Sequence, residues 1–301
     1  MGAGHQHGGA ARGQNIRRLA GVLVLTAFYM VAEVIGGWLT NSLALMADAG
    51  HMFSDVAALG LSLFAIWIAQ RAATSRHTYG FYRTEILAAL INGATLVAIS
   101  IFIFVEAYRR FAHPPEVQGG LMMAIAVGGL CINLAGLAIL NSGRSESLNV
   151  RGAWLHIFTD MLGSIGVILA GALIWDFNWT LADPVVSVMI SLLVIYSSWG
   201  LIKETVAVLM EGAPGHIDVD DVRRVMLDMP GVTGVHDLHV WTISSRLEAL
   251  SGHVTAEQTA DHRKLLNTLR EVLHDRFGVD HITIQIEPAD FGDCGQIDAC
   301  L

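Results

Sequence analysis

Charged residues are scarce in this chain. They make up 15% of its 301 residues, against about 25% in an ordinary soluble protein, so one water-soluble domain does not describe the whole. Cysteine is nearly missing. Cys131 sits in an apolar run, and Cys294 and Cys300 lie close to the C-terminus. Three such residues do not make a disulfide scaffold. A basic excess is also missing. The formal net charge is −9, and neutralising nucleic-acid phosphates requires the opposite sign, so nucleic acid is excluded as a partner. The His-Glu-x-x-His pattern of zinc hydrolases does not occur. Nor is there a long linker, sequence repeat or low-complexity tract.

The charge that is present is unevenly placed. Residues 1–210 hold 11 acidic and 11 basic side chains, whereas residues 211–301 hold 16 acidic and 7 basic. The whole net charge therefore lies in the last third, a balance that by itself means little more than solubility. The first two-thirds carries six apolar runs, roughly Leu19–Leu39, Leu43–Ala69, Ile86–Tyr108, Leu121–Leu140, Leu155–Ile174 and Val185–Ile202. Each has about the 20 residues that ~30 Å of hydrocarbon requires at 1.5 Å rise per residue. The first run is too long for a signal peptide and has no small-residue cleavage site, so it reads as a retained helix. Gln6 stands where a myristoylation signal needs Ser or Thr.

Lys and Arg in the short connections set the orientation. With the N-terminus inside, the inner segments hold Arg12, Arg17, Arg18, Arg71, Arg76, Arg83, Arg144, Arg151 and Lys203, and the outer ones only Arg109 and Arg110. Nine against two places both termini in the cytoplasm, with Arg109 and Arg110 as a mild contradiction. The expected organisation is a flexible His-containing tail at 1–14, a six-helix transmembrane domain at 15–208, a cytoplasmic metal-binding domain at 209–290 and a tail at 291–301.

After Met210 the hydrophobic period changes. The break at 211–215 precedes a helix over Val219–Met229 with Asp218 as N-cap. Val235–Ser244 and Leu247–Thr255 alternate as strands, Asp261–Phe277 is helical, and His281–Glu287 is a third strand. The order αββαβ suits a small α/β sandwich, marginal alone and leaning on a partner copy.

Two spans carry the chemistry. The second contains Asp48, His51 and Asp55; the fifth contains His156 and Asp160. Each therefore has a His followed four residues later by an Asp, which puts both on one helix face about 6 Å apart along the axis. Two such helices facing each other offer two imidazoles and two carboxylates, the number and kind a tetrahedral Zn²⁺ site uses. A charge at the centre of a span costs ~2.5–3.5 kcal/mol, and no Arg or Lys stands near mid-span to offset it. That leaves metal or proton traffic as the reason for these residues, although a buried His or a paired Asp can be purely structural. Without a thiolate set, Zn²⁺ or a similar divalent ion fits better than Cu⁺.

The run SLALMADAGHMFSD at 42–55, the His156/Asp160 pair and HDLHVW at 236–241 together resemble the cation diffusion facilitator family. The likeness is to its bacterial cobalt–zinc–cadmium resistance and zinc-efflux branch, over about Asn15 to Glu287. The resemblance implies a membrane α-helical fold, with a six-transmembrane-helix bundle and a C-terminal cytoplasmic metallochaperone-like α/β domain. It also implies a homodimer in the cell inner membrane, with divalent metal ions and protons as substrates and Zn²⁺ leaving the cytoplasm in exchange for protons. By the same likeness His51, Asp55, His156 and Asp160 form the transport site. Relatives with Asp in place of the first His pass Cd²⁺ more readily, so this set points to Zn²⁺, with Cd²⁺ and Co²⁺ as further candidates.

In the soluble part, His236, His253 and Glu287 resemble ligands of a cytoplasmic Zn²⁺ site that is regulatory or structural. Glu287 is placed to bridge two metals, with His262 and His281 as candidates for the second. Where relatives place a His on the last strand this chain has Gln285, which leaves that second site incomplete. Tail cysteines Cys294 and Cys300 with His5 and His7 form a further candidate group. Arg83 and Glu211 resemble a charge pair that interlocks the membrane and soluble parts. The loop at 71–85 keeps only His77 of a metal site known in relatives, with Phe81 where another ligand would stand. Strand parity sets His236, Leu238 and Val240 on one face and His239 on the other; His216, His239 and His274 are surface or packing residues.

Other polar residues of the spans divide by place. Asp48 is an orienting residue, a proton relay or a simple hydrogen-bond partner. Asn41 and Asn133 are expected to hydrogen-bond between helices; Glu33 and Glu106 have no assignment. Gly36, Gly37, Gly128 and Gly129 mark close helix contacts. Catalysis is not expected, since four protein ligands close a tetrahedral metal and leave no open position for water. The other reading is a membrane-anchored metal sensor without transport, which would not need ionisable groups at mid-span.

Overall fold

The structure is a computed structural model that describes residues 7–69, 71, 74–141, 148–244 and 247–288. Six long helices come first: α1 (His7–Thr40), α2 (Leu43–Ala69), α3 (Thr84–Ala112), α4 (Gly119–Asn141), α5 (Leu148–Phe177) and α6 (Ala182–Leu209). They are followed by α7 (Val219–Leu227), β1 (Val232–Ser244), β2 (Leu247–Ala256), α8 (His262–Phe277) and β3 (His281–Pro288). The chain forms two compact units. One comprises Met1–Gly60 with Ile91–Gly200, the other Leu61–Leu90 with Leu201–Leu301. The second unit thus takes in the end of α2 and the start of α3, which a linear division at 208 does not group.

The six helices match the six apolar runs. Five of them, among the described residues, are long and apolar enough to cross a bilayer, and α2 has the length at 27 residues. α1 begins at His7, inside the segment expected as a flexible tail. Ala10, Ala11, Arg12 and Gln14 are good helix formers, and extending an existing helix is far easier than nucleating one.

In the first unit apolar side chains face outward, among them Phe28, Trp38, Phe102, Tyr108, Trp175, Tyr196 and Trp199, while Glu33, Ser42, Asp48, Asn133, Ser164, Asp183 and Ser187 are buried. This inversion is what a hydrocarbon solvent demands, because polar groups can be satisfied only inside the bundle. Its apolar core runs through Leu43, Leu45, Leu96, Ile103, Met122, Ala126, Val167, Ala170 and Val194.

Small residues let the helices approach. A Cβ on Gly36 would lie 2.5 Å from Ile125 Cδ1, one on Gly37 2.9 Å from Met46 Cγ, and one on Gly129 2.4 Å from Tyr29 Oη. Gly128 makes only ordinary contact, at 3.8 Å from the Tyr29 ring. Gly119 and Gly171 form an unforeseen backbone contact between α4 and α5. The Tyr29 hydroxyl donates to the Ile125 carbonyl at 2.8 Å, so a methyl at Gly129 must displace that ring and its bond. Gly129→Ala is expected to cost about 1–3 kcal/mol, read as a lower melting temperature of the detergent-solubilised protein.

Arg110 is tied into the helix bundle. Its guanidinium reaches Asp183 Oδ2 at 3.4 Å, Glu106 Oε1 at 3.2 Å and the Asn41 carbonyl at 2.6 Å. Asp183 is fully buried and also accepts from Ser42 Oγ and the Leu43 and Ala44 amides. These amides are the unsatisfied donors at the start of α2, so one carboxylate caps that helix from α6 while Arg110 neutralises it from α3. Arg110 is a structural counter-ion, not a free loop charge. Asn41, with φ 55, ends α1 and donates to the Glu116 carbonyl at 3.2 Å.

In the second unit the sheet order is β1-β2-β3, with β1–β2 antiparallel and β2–β3 parallel. Asp218 caps α7 and Asp261 caps α8, while Gly278 closes α8 in the left-handed region at φ 71. Val222, Met226, Leu265, Leu269 and Leu273 of these helices pack on Val235, Leu238, Val240, Leu250 and Val254 of the sheet. The helices therefore cover one face and leave the other open.

Candidate metal centres

Helix geometry alone places the first constellation. His51 and Asp55 share a face of α2, and His156 and Asp160 share a face of α5. The structure brings the two faces together. His156 Nε2 lies 3.0 Å from Asp55 Oδ2 and 3.6 Å from Asp160 Oδ2. His51 Nε2 lies 3.4 Å from Asp160 Oδ1 and 3.9 Å from Asp55 Oδ2. Around a tetrahedral Zn²⁺ with ligands at ~2.0–2.1 Å, donor atoms stand about 3.3 Å apart. The four His–Asp separations, from 3.0 to 3.9 Å, bracket that value. One atom from each of His51, His156 and Asp160 falls within a 4.8 Å cluster; Asp55 is outside that cluster but lies 3.0 Å from His156 Nε2. Asp160 Oδ1 and His51 Nδ1 are buried with no hydrogen-bond partner among the described residues. The converging atoms are the two Nε2 nitrogens and the facing carboxylate oxygens, which stand at ion-pair distances of one another.

Two polar neighbours support this region. Asn133 donates to Ser164 Oγ at 3.4 Å, joining α4 to α5, and Ser54 lies 3.0 Å from Asn92 Oδ1. Asp48 is buried one turn before His51, and a Cβ on Gly163 would be 3.3 Å from its Oδ1. Asp48 thus lies against the turn of α5 that follows Asp160.

The second constellation is built on the open face of the sheet. His236 pairs with His253 across β1–β2, and His253 pairs with Gln285 across β2–β3. Glu287, two residues beyond Gln285, therefore shares their face. His236 Nε2 is 3.1 Å from Glu287 Oε2 and His253 Nδ1 is 3.0 Å from Glu287 Oε1. The latter pair is close but not aligned as a hydrogen bond, which leaves His253 Nδ1 without one. Glu287 is buried, and beyond the two His its neighbour is Gln285, whose amide donates to Oε1 at 2.8 Å. Two imidazoles and a buried carboxylate are a donor set that Zn²⁺ fits.

One expectation of parity is corrected here. The β1–β2 register slips by a residue between His236 and His239, where Asp237 adopts φ 49. This bulge inserts an extra residue, so His239 joins His236 on the open face while Leu238 and Val240 point into the core. Asp237 was not picked out from the sequence. It reaches both His239 Nε2 at 2.9 Å and His253 Nε2 at 3.7 Å.

Other expected site residues are placed apart. His281 shares the face of Glu287 but begins β3, six residues or about 20 Å of strand away, with its ring against Tyr79. His262 opens α8, on the covered side of the sheet. Neither joins a converging group among the described residues. His216 faces Glu248 at 3.8 Å and His274 faces Asp280 at 3.1 Å. The His77 ring stacks near Phe81. Within the second unit, Arg83 donates to Glu211 Oε1 at 3.0 Å; both are substantially exposed, so the pair contributes under about 1 kcal/mol. His5, Cys294 and Cys300 lie outside the described residues, as does the His7 side chain.

Comparison with known proteins supplies the family. Residues 19–210 match the cation efflux transmembrane domain, and residues 214–289 match the cytoplasmic domain of cation efflux proteins. The chain is 44% identical over 293 residues to a cadmium, cobalt and zinc/H⁺-K⁺ antiporter of Bacillus velezensis, covering 96% of this chain and 93% of that one. It is 44% identical over 301 residues to the metal cation efflux system protein CzcD of Cupriavidus metallidurans, covering 99% and 93%. It is also 44% identical over 284 residues to the zinc transporter ZitB of Escherichia coli, covering 93% and 90%. A solved metal-bound C-terminal domain of a CzcD transporter aligns at 35% identity over 24% of this chain and 99% of that one, with a TM-score of 0.23. With family models across both of its parts, this multi-pass membrane protein belongs to the cation efflux family.

Proposed function

We propose that the protein exports Zn²⁺ from the cytoplasm in exchange for protons, with His51, Asp55, His156 and Asp160 as the transport site. The observation that carries this reading is the convergence of two imidazoles and two carboxylates from α2 and α5 at 3.0 to 3.9 Å. A charge-rich set at mid-span has no structural partner such as Arg or Lys, and a sensor without transport would not need it there. The names of the relatives, which include zinc, cadmium and cobalt, agree with a divalent substrate. The protein works as a homodimer in the inner membrane, with both termini cytoplasmic.

Exchange follows from competition for the same nitrogen lone pairs. Zn²⁺ binds neutral imidazole and carboxylate, so loading expels protons and protonation expels the ion. Acid therefore weakens loading, because a protonated imidazole has no lone pair to give the ion. Access alternates between the two sides by rocking of helix groups. On the cytoplasmic side, His236, His253 and Glu287 would hold a regulatory Zn²⁺, favouring one dimer geometry as cytoplasmic zinc rises. The test uses inside-out vesicles containing the full-length protein. An acidic lumen is expected to accelerate Zn²⁺ uptake, and a Zn²⁺ pulse to alkalinise the lumen. Uptake indifferent to an imposed proton gradient overturns the exchange.

A further inference from the structure

A cavity of about 670 Å³ lies between the loop at 76–83 and the open face of the sheet, wholly within the second unit. That is the size of an ordinary small-ligand site, ~300–1,000 Å³. His239 and Trp241 of β1 and Ser251 of β2 line it from the sheet, the bulge at Asp237 having turned His239 to this side. Arg76, Tyr79 and Arg83 line it from the loop. The Tyr79 ring meets His281 of β3 edge-on at 5.6 Å, which ties the loop to the sheet. The charge of the cavity is opposite to that of its surroundings. Residues 211–301 hold 16 acidic and 7 basic side chains, yet the lining has two guanidiniums against one carboxylate, that of Glu211. Arg83 takes that carboxylate at 3.0 Å. Arg76 has no carboxylate partner among the described residues. His239 is engaged by Asp237 at 2.9 Å. The Tyr79 and Ser251 hydroxyls and the Trp241 indole N–H add donors. No group of metal-ligating side chains converges here among the described residues, so the lining is that of an anion site and not of a cation site.

We propose that this cavity binds a phosphate group, with Arg76 as its principal contact. A guanidinium presents a planar pair of N–H donors that matches two phosphate oxygens. Tyr79 and Trp241 supply apolar walls for the carbon skeleton that carries the phosphate. Two sources share this chemistry. One is the headgroup of an anionic phospholipid. Arg83 is followed at once by α3, a helix long and apolar enough to cross a bilayer, so the loop stands at the depth where lipid phosphates lie. The other source is a soluble phosphate or phosphomonoester. With either, the bound anion braces the loop against β1, and it does so independently of both metal centres.

The experiment uses the full-length protein and two probes. Inorganic phosphate is titrated by calorimetry onto protein held in nanodiscs of phosphatidylcholine alone. Phosphatidylglycerol is titrated onto detergent-solubilised protein, and bound lipid is counted by native mass spectrometry. Arg76→Gln is expected to weaken binding at least about tenfold, the worth of a hydrogen-bonded charge pair. Arg270→Gln, a change of the same charge on α8, is expected to leave it unaltered. Loss of phosphatidylglycerol binding in Arg76→Gln, with no inorganic phosphate bound by the wild type, supports the site and names the headgroup as its source. Arg76-dependent binding of inorganic phosphate supports it with a soluble source. A second measurement needs no variant. The bound probe is expected to protect Arg76 of the wild type from an arginine-selective dicarbonyl reagent, read by peptide mass spectrometry. Arg76 left unprotected by both probes, or affinities that Arg76→Gln and Arg270→Gln change alike, overturns the inference and leaves the transport reading untouched.

Discussion

Asp160→Ala lowers Zn²⁺ uptake by vesicles at least about a hundredfold, to the background of protein-free membranes. Changing a residue that only orients a metal ligand already costs about 10- to 100-fold in affinity, and Asp160 is proposed to touch the ion itself. It is the least exposed of the four, and it alone lies within 3.6 Å of both imidazoles by two different oxygens. His51→Ala is expected to match it. Simultaneous substitution of His236, His253 and Glu287 by alanine has a different signature. Uptake persists at high Zn²⁺, and its dependence on cytoplasmic Zn²⁺ changes. The comparison is read as initial uptake rate against Zn²⁺ concentration with variants incorporated to equal density. A retained rate in Asp160→Ala removes the transport assignment; an unaltered concentration dependence in the triple variant removes the regulatory one.

The second large effect is on stability. Asp183 is completely buried, holds the start of α2 through Ser42, Leu43 and Ala44, and faces Arg110 at 3.4 Å. Asp183→Ala leaves Arg110 with Glu106 as its carboxylate partner and uncaps the start of α2. Breaking a buried ion pair by removing one partner costs about 3–5 kcal/mol. Thermal unfolding of the solubilised protein is expected to show that loss for Asp183→Ala and a comparable loss for Arg110→Ala. The double variant should be less damaged than the sum, since both single changes break the same ion pair. Strict additivity would mean that the two side chains do not act as a pair.

These two regions also mark what the sequence makes legible. The His51–Asp55 and His156–Asp160 couples are visible because helical spacing is local: four residues fix a shared face whatever the rest of the chain does. The six spans and the αββαβ order follow from the same kind of short-range periodicity. Asp183 is different. Its partner Ser42 is 141 residues away, and no periodic signal connects them; the one local hint was an Asp followed by Pro184 at the start of an apolar run. Glu33 was seen but could not be assigned, since only the packed bundle shows that it is fully enclosed. The face of His239 was misread because strict alternation fails at a bulge, and Asp237 with a left-handed φ is not foreseeable from hydrophobic pattern alone.

The four proposed ligands come as two couples, one on each of two helices, and this has a mechanical consequence. Within α2 or α5 each couple is rigid, so sliding or rolling one helix past the other leaves its own distances unchanged and opens every gap that crosses between them. Displacement by a single helical turn, about 5.4 Å, would exceed the reach of any donor set now spaced at 3.0 to 3.9 Å. An ion gripped by all four therefore staples the two helices into one body, and the loaded carrier must swing them together. Relative travel of α2 and α5 is reserved for the empty or protonated half of the cycle.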